Sequence, residues 1–122
     1  GNGLTAFYQG YALQLSGRVR EALAPYTAAA EAFPESDTVL NNLGYAQLQL
    51  GRFDLALDTL RRAEGVSDDN SSVHVNLGLT YYGLGRYSAA LEQWETAVQL
   101  DPALEEELAQ VRESARQRAG QP

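Results

Sequence analysis

Gly44-Tyr-Ala-Gln-Leu-Gln-Leu-Gly51-Arg52-Phe53 returns 34 positions later as Gly78-Leu-Thr-Tyr-Tyr-Gly-Leu-Gly85-Arg86-Tyr87, and a more divergent copy precedes it at the same interval as Gly10-Tyr-Ala-Leu-Gln-Leu-Ser-Gly17-Arg18-Val19. One phrase at one period marks a repeat protein, in which each unit buries its apolar face against the next. Aligning 37–70 with 71–104 also pairs Val39 with Val73, Asn42 with Asn76, Leu43 with Leu77, Ala56 with Ala90, Leu57 with Leu91 and Ala63 with Ala97. The first copy keeps Ala22, Leu23 and Ala29 in the same register. The units are therefore 3–36, 37–70 and 71–104, followed by a helical stretch at 105–118 and a polar tail at 119–122.

Within a unit the apolar spacing alternates between three and four, as in Val39-Leu43-Ala46-Leu50 and then Phe53-Ala56-Leu57-Leu60-Ala63. That is the spacing of amphipathic helices, so each unit is expected to be a helical hairpin and the chain all-α. The hairpin turns fall at Gly17, Gly51 and Gly85, where a residue lacking Cβ ends a helix in the left-handed conformation. Gly10, Gly44 and Gly78 sit mid-helix, a position that costs about 1 kcal/mol against alanine and is tolerable where two helices approach closely. Ala22, Ala56 and Ala90 are expected to face them. Pro34 and Asp101-Pro102 close the first and third units, and Ser67-Asp68-Asp69-Asn70 closes the second as a turn plus helix cap.

The Leu-Gly pairs, the Gly-Arg-Phe/Tyr turns, the Ala-Leu of each second helix, its later Ala and the closing Asp-Pro resemble the tetratricopeptide repeat, over residues 3–104. The resemblance implies an α-α superhelix of three hairpins, with 105–118 as an added C-terminal helix that shields the last one. The match is weakest in the first unit, which has Gln9 where the others have Leu43 and Leu77. A solenoid of three repeats is about the minimum that is stable alone.

Composition limits the function classes. No run approaches the roughly 18 apolar residues of a membrane span, so no membrane insertion is expected. The net charge of −7 argues against nucleic acid, whose phosphates would be repelled, and leaves a protein or peptide as the expected partner. With no cysteine there are no disulfides or thiolate sites. The chain opens on Gly1 and contains no methionine, so it reads as a piece of a longer protein, and its compartment stays open between cytoplasm and periplasm. No enzyme, metal or cofactor is expected. The one histidine, His74, lies in a packing slot; Glu105-Glu106-Glu107 diverge around a helix and suit its N-terminal dipole; Asp68-Asp69-Asn70 lacks the remaining ligands of a calcium loop.

Function is then expected on the concave face, which the resemblance assigns to the first helix of each hairpin. With Leu43, Gly44 and their equivalents in the packed stripe, the opposite faces carry Leu4, Phe7, Tyr8, Tyr11, Gln14 and Leu15; Thr38, Asn41, Asn42, Tyr45, Leu48 and Gln49; Ser72, Val75, Asn76, Leu79, Tyr82 and Gly83. None is charged, in a chain that is 20% charged. Solvated faces collect charge, so an uncharged one reads as a binding surface. The peptide-binding candidates are Phe7, Tyr8, Tyr11, Asn41, Asn42, Tyr45, Leu48, Asn76, Leu79 and Tyr82. Asn42 and Asn76 offer a donor and an acceptor to an extended main chain; the alternative is that they bond a neighbouring helix. The aromatics offer large contact area at low entropy cost, though Tyr8 and Tyr82 adjoin the packed stripe and are equally placed to pack there.

In the chaperone-binding members of the family, lysine and arginine on this face hold a ligand's C-terminal carboxylate. Here Phe7, Tyr11, Val75 and Leu79 fill the matching places and only Asn42 remains, so the expected ligand is an extended or helical segment, uncharged and partly apolar. The alternatives are a self-association module, with a homodimer through the uncapped aromatic end at Phe7 and Tyr8 or an exchanged C-terminal helix, and a substrate-docking arm of a larger protein.

Overall fold

The computed structural model describes residues 2–120. Among them are seven α-helices and no strands: α1 (Asn2–Leu15), α2 (Val19–Ala32), α3 (Asp37–Gln49), α4 (Phe53–Val66), α5 (Ser71–Gly83), α6 (Tyr87–Leu100) and α7 (Leu104–Ala119). They pair as the hairpins α1/α2, α3/α4 and α5/α6, and each second helix packs on the next hairpin's first helix, an all-α superhelix. The core follows as a seam from Ala6, Tyr26 and Ala29 through Leu40, Leu43 and Leu60 to Leu77, Trp94 and Leu108.

The local signals that end and begin helices account for this order. Gly17, Gly51 and Gly85 have φ of +79°, +74° and +76°. After each the chain folds back, with Arg18, Arg52 and Arg86 donating their backbone N–H to the carbonyls of Leu13, Gln47 and Tyr81 at 2.9 Å. These bonds satisfy carbonyls that a helix end otherwise orphans. At the starts, Ser36 Oγ accepts from the Val39 N–H at 3.2 Å, and Asn70 Oδ1 accepts from the N–H groups of Ser72 at 3.1 Å and Val73 at 3.4 Å.

The mid-helix glycines make close approaches, but not with the alanines expected. A Cβ on Gly10 would stand 2.6 Å from the Tyr26 ring, on Gly44 2.6 Å from Leu60, and on Gly78 2.1 Å from Trp94 Nε1. Ala22, Ala56 and Ala90 are fully buried. It is the largest fully buried side chain of each second helix, Tyr26, Leu60 or Trp94, that takes up the room, because only there does the absent methyl leave space for a ring or a branched chain. The Trp94 indole also donates to the Val75 carbonyl at 3.2 Å, fixing α6 to the middle of α5.

Candidate functional site

The first helices α1, α3 and α5 lie side by side, and α7 closes the far side. Between α3, α5 and α7 runs a groove of about 430 Å³ lined by Asn41, Asn42, Tyr45, Ser72, Val75, Asn76, Leu79, Glu107, Leu108 and Val111. A larger surface depression, about 850 Å³, lies at the end of α4 among Arg61, Glu64, Asp68 and Asp69. Its lining is the end of α4 and the loop after it, mostly solvated charge with Val66 as the one apolar side chain among the described lining residues, unlike the several apolar anchors of a ligand site.

Five of the sequence candidates, Asn41, Asn42, Tyr45, Asn76 and Leu79, come together in the groove. Their environments differ. Asn76 and Asn41 are each only 7% exposed. Asn76 donates from Nδ2 to Asn41 Oδ1 at 2.9 Å, and Asn41 donates from Nδ2 to Ser72 Oγ at 3.0 Å. This chain of amides ties α3 to α5 and uses part of the donor capacity a peptide would need. Asn42, in the slot equivalent to Asn76, stays half-buried. The reason lies one helix back: Asn76 meets Asn41, whereas the residue in Asn41's position of the first repeat is Phe7, which offers Asn42 no amide.

The other candidates lie apart from this groove. Phe7 is half-buried, its ring 6.0 Å from Tyr26, 5.5 Å from Tyr8 and stacked on Tyr11 at 6.5 Å. Tyr8 and Tyr11 are largely exposed along α1, and Leu48 packs half-buried against the core. Tyr82 joins α5 to α7: its hydroxyl pairs with Ser114 Oγ at 2.6 Å, its ring packs against Tyr87 and Trp94, and the Arg118 guanidinium sits 5.7 Å above it. Tyr87, whose ring centroid is 5.9 Å from the guanidinium, foremost and then Tyr82 hold the Arg118 pKa above its ordinary value. Tyr82 thus anchors the last helix.

Three lining residues, Glu107, Leu108 and Val111, come from α7, which the sequence suggested as a shield for the last hairpin or an exchanged helix but not as a wall of the groove. Leu104, Leu108, Val111 and Ala115 form its apolar stripe, and Leu108 and Ala115 are buried. Adjacent to Leu108 on the helix, Glu107 brings the groove its one charge among the described lining residues. His74 is buried, with Nδ1 2.8 Å from Gln93 Oε1 and Nε2 2.7 Å from the Asp68 carbonyl, a structural post between α5, α6 and the preceding loop. Among the described residues no three His, Cys, Asp or Glu side chains gather as a metal set, and no helix is long and apolar enough to cross a membrane.

Tetratricopeptide-repeat family models match residues 8–72 and 71–104. The chain belongs to the tetratricopeptide repeat family. No curated protein matches its sequence significantly. Among solved structures, the first tetratricopeptide domain of Spaghetti (RPAP3) bound to an HSP90 peptide superposes with a TM-score of 0.91 at 19% identity, covering 98% of this chain and 94% of that one. The TPR2B domain of yeast Sti1, in complex with an Hsp70 peptide, gives 0.88 at 19% identity over 95% of this chain and 97% of that one. A point mutant of MamA is 31% identical, with a TM-score of 0.76 over 83% of this chain and 74% of that one. This tetratricopeptide array shares its fold with both peptide-bound domains.

Proposed function

We propose that this tetratricopeptide array is a protein-interaction module that holds an extended, largely uncharged and partly apolar peptide segment in the groove between α3, α5 and α7. One observation carries the reading: a groove walled by Tyr45, Val75, Leu79, Leu108 and Val111 contains amides at Asn41, Asn42 and Asn76 and no basic side chain. Apolar walls supply contact area and the amides supply orientation, the usual division of work in a concave site. Asn42, free of the Asn41–Asn76 pair, is the amide placed to bond a ligand main chain, while Asn76 keeps an oxygen for which no described residue is a donor.

The fold likeness to chaperone-peptide complexes supports peptide binding as a class of function. It does not extend to their ligand. The HSP90 peptide in one of them, SRMEEVD, carries three acidic residues. Here the charged lining residue is Glu107, on a chain of net charge −7, so an acidic tail meets repulsion with no compensating cation.

Selection from a random peptide library on the immobilised domain tests this. Enriched sequences should be apolar and poor in acidic residues, SRMEEVD should not bind, and Asn42→Ala with Tyr45→Ala should weaken an enriched peptide by about 2 kcal/mol, some thirtyfold. Enrichment of acidic C-termini, or equal binding by the double variant, would remove the groove from the reading.

A further inference from the structure

Among the described residues, the row of first helices has two unlike ends. At one end α7 turns Leu108 and Ala115 inward and shows Glu105, Glu106, Glu113 and Arg116 to solvent. At the other, α1 exposes Leu4, Tyr8, Tyr11 and Leu15 by 48%, 59%, 46% and 71%. Their spacing of four, three and four places them in one stripe along the helix, and no residue of α1 is charged.

The repeats show which way this stripe faces. The residues equivalent to Leu4 and Tyr8 in α5 are Ser72 and Asn76, and the residue equivalent to Leu15 in α3 is Gln49. All of these bond back to the preceding first helix: Ser72 and Asn76 to Asn41, and Gln49 to Gln14, whose Nε2 donates to it at 2.6 Å. The α1 stripe therefore lies on the side where the row would take its next helix. Inside the array most of these positions are polar or small, as Thr38, Asn42, Gln49, Ser72, Asn76 and Gly83, and only the Tyr11 position is apolar, as Tyr45 and Leu79. In α1 it is leucine and tyrosine, so the surface continues the internal interface with apolar groups.

The stripe also reads the same in both directions, Leu-Tyr-Tyr-Leu. We propose that a second copy of this chain packs antiparallel across it, Leu4 of one copy opposite Leu15 of the other and Tyr8 opposite Tyr11, about a two-fold axis. A self-complementary patch is what an isologous dimer requires, and such a contact closes at two copies. Charge favours this partner over head-to-tail stacking. Two copies of net charge −7 approach best through a helix with no charge, whereas α1 against the outer face of α7 would strip water from Glu105, Glu106 and the Glu113–Arg116 pair. This surface is separate from the α3, α5 and α7 groove, and the inference does not rest on the peptide reading.

Light scattering across a concentration series tests it. The mass should rise from 13.3 kDa toward twice that value. Tyr8→Glu and Tyr11→Arg should each weaken the dimer tenfold or more, with unchanged circular dichroism because both side chains project into solvent. Mixing the two variants should restore a heterodimer, because antiparallel register sets position 8 of one chain against position 11 of the other. A parent chain that stays monomeric up to about 1 mM, or a dimer that neither substitution weakens, overturns the proposal. Single variants that dissociate yet fail to pair on mixing overturn the antiparallel register.

Discussion

Tyr26 holds the slot that Leu60 and Trp94 hold in the later repeats, against Gly10, and it is fully buried. Its hydroxyl donates to Gln14 Oε1 at 2.6 Å. Burial pushes its pKa up to about 12, partly offset by the neighbouring Asn42 amide. The folded state thus keeps the proton at a pH where the unfolded tyrosine has lost it, so the unfolded chain binds fewer protons and stability falls as pH rises. The contribution is intact below about pH 10 and is lost progressively between about 10 and 12, on the order of 2–3 kcal/mol. Urea unfolding at stepped pH should show this slope in the parent chain and a flatter one in Tyr26→Phe, which at neutral pH loses only about 1 kcal/mol with the Gln14 bond. Equal slopes would mean that Tyr26 ionises without penalty. Residues differ in how far sequence reveals them. Gly17, Gly51 and Gly85 were legible because a positive φ is a property of one residue and its own turn. Asn42 and Asn76 looked alike because they occupy the same slot, yet their burial depends on whether Phe7 or Asn41 stands in the helix behind them.

Among the helices, α2 carries the clearest internal conflict. Pro25 lies inside Val19–Ala32, at the position held by Thr59 in α4 and Gln93 in α6. Its missing N–H leaves the Glu21 carbonyl without an intrahelical donor, and its ring crowds that carbonyl. The helix persists because Ala22, Tyr26, Ala29 and Ala30 are buried on one face, tertiary packing overriding local propensity. Pro25→Ala should therefore raise the melting temperature, by about 1–3 kcal/mol of stability at the midpoint, without moving groove residues. A fall in stability would show instead that the half-buried ring packs well enough to outweigh its helix cost. The element least legible in the sequence was α7. Its stripe at Leu104, Leu108, Val111 and Ala115 identified a packed helix, but a stripe does not say how far its edge reaches past α6. That edge brings Glu107, Leu108 and Val111 into the groove, a consequence of how α7 sits beside α5.

For the whole molecule, a solenoid distributes stability by neighbours, so each helix is held in proportion to what flanks it. The inner first helices are flanked on both sides: α3 buries Val39, Leu40, Asn41, Leu43, Gly44 and Ala46, and α5 buries Val73, His74, Asn76, Leu77, Gly78, Thr80 and Tyr81. The end helices are not: α1 buries Ala6 and Gly10, and α7 buries Leu108 and Ala115. Local opening free energy rises with buried contact, so amide hydrogen exchange should be slowest in α5 and α3 and fastest in α1 and α7. The two ends should then respond to different treatments. Raising the protein concentration should slow exchange in α1 alone if a second copy covers its exposed stripe, and a groove ligand should slow α3, α5 and α7 while leaving α1 unchanged. Uniform protection from α1 to α7, independent of concentration, would mean that three repeats and the last helix open only as one cooperative unit, with neither end available as a separate surface.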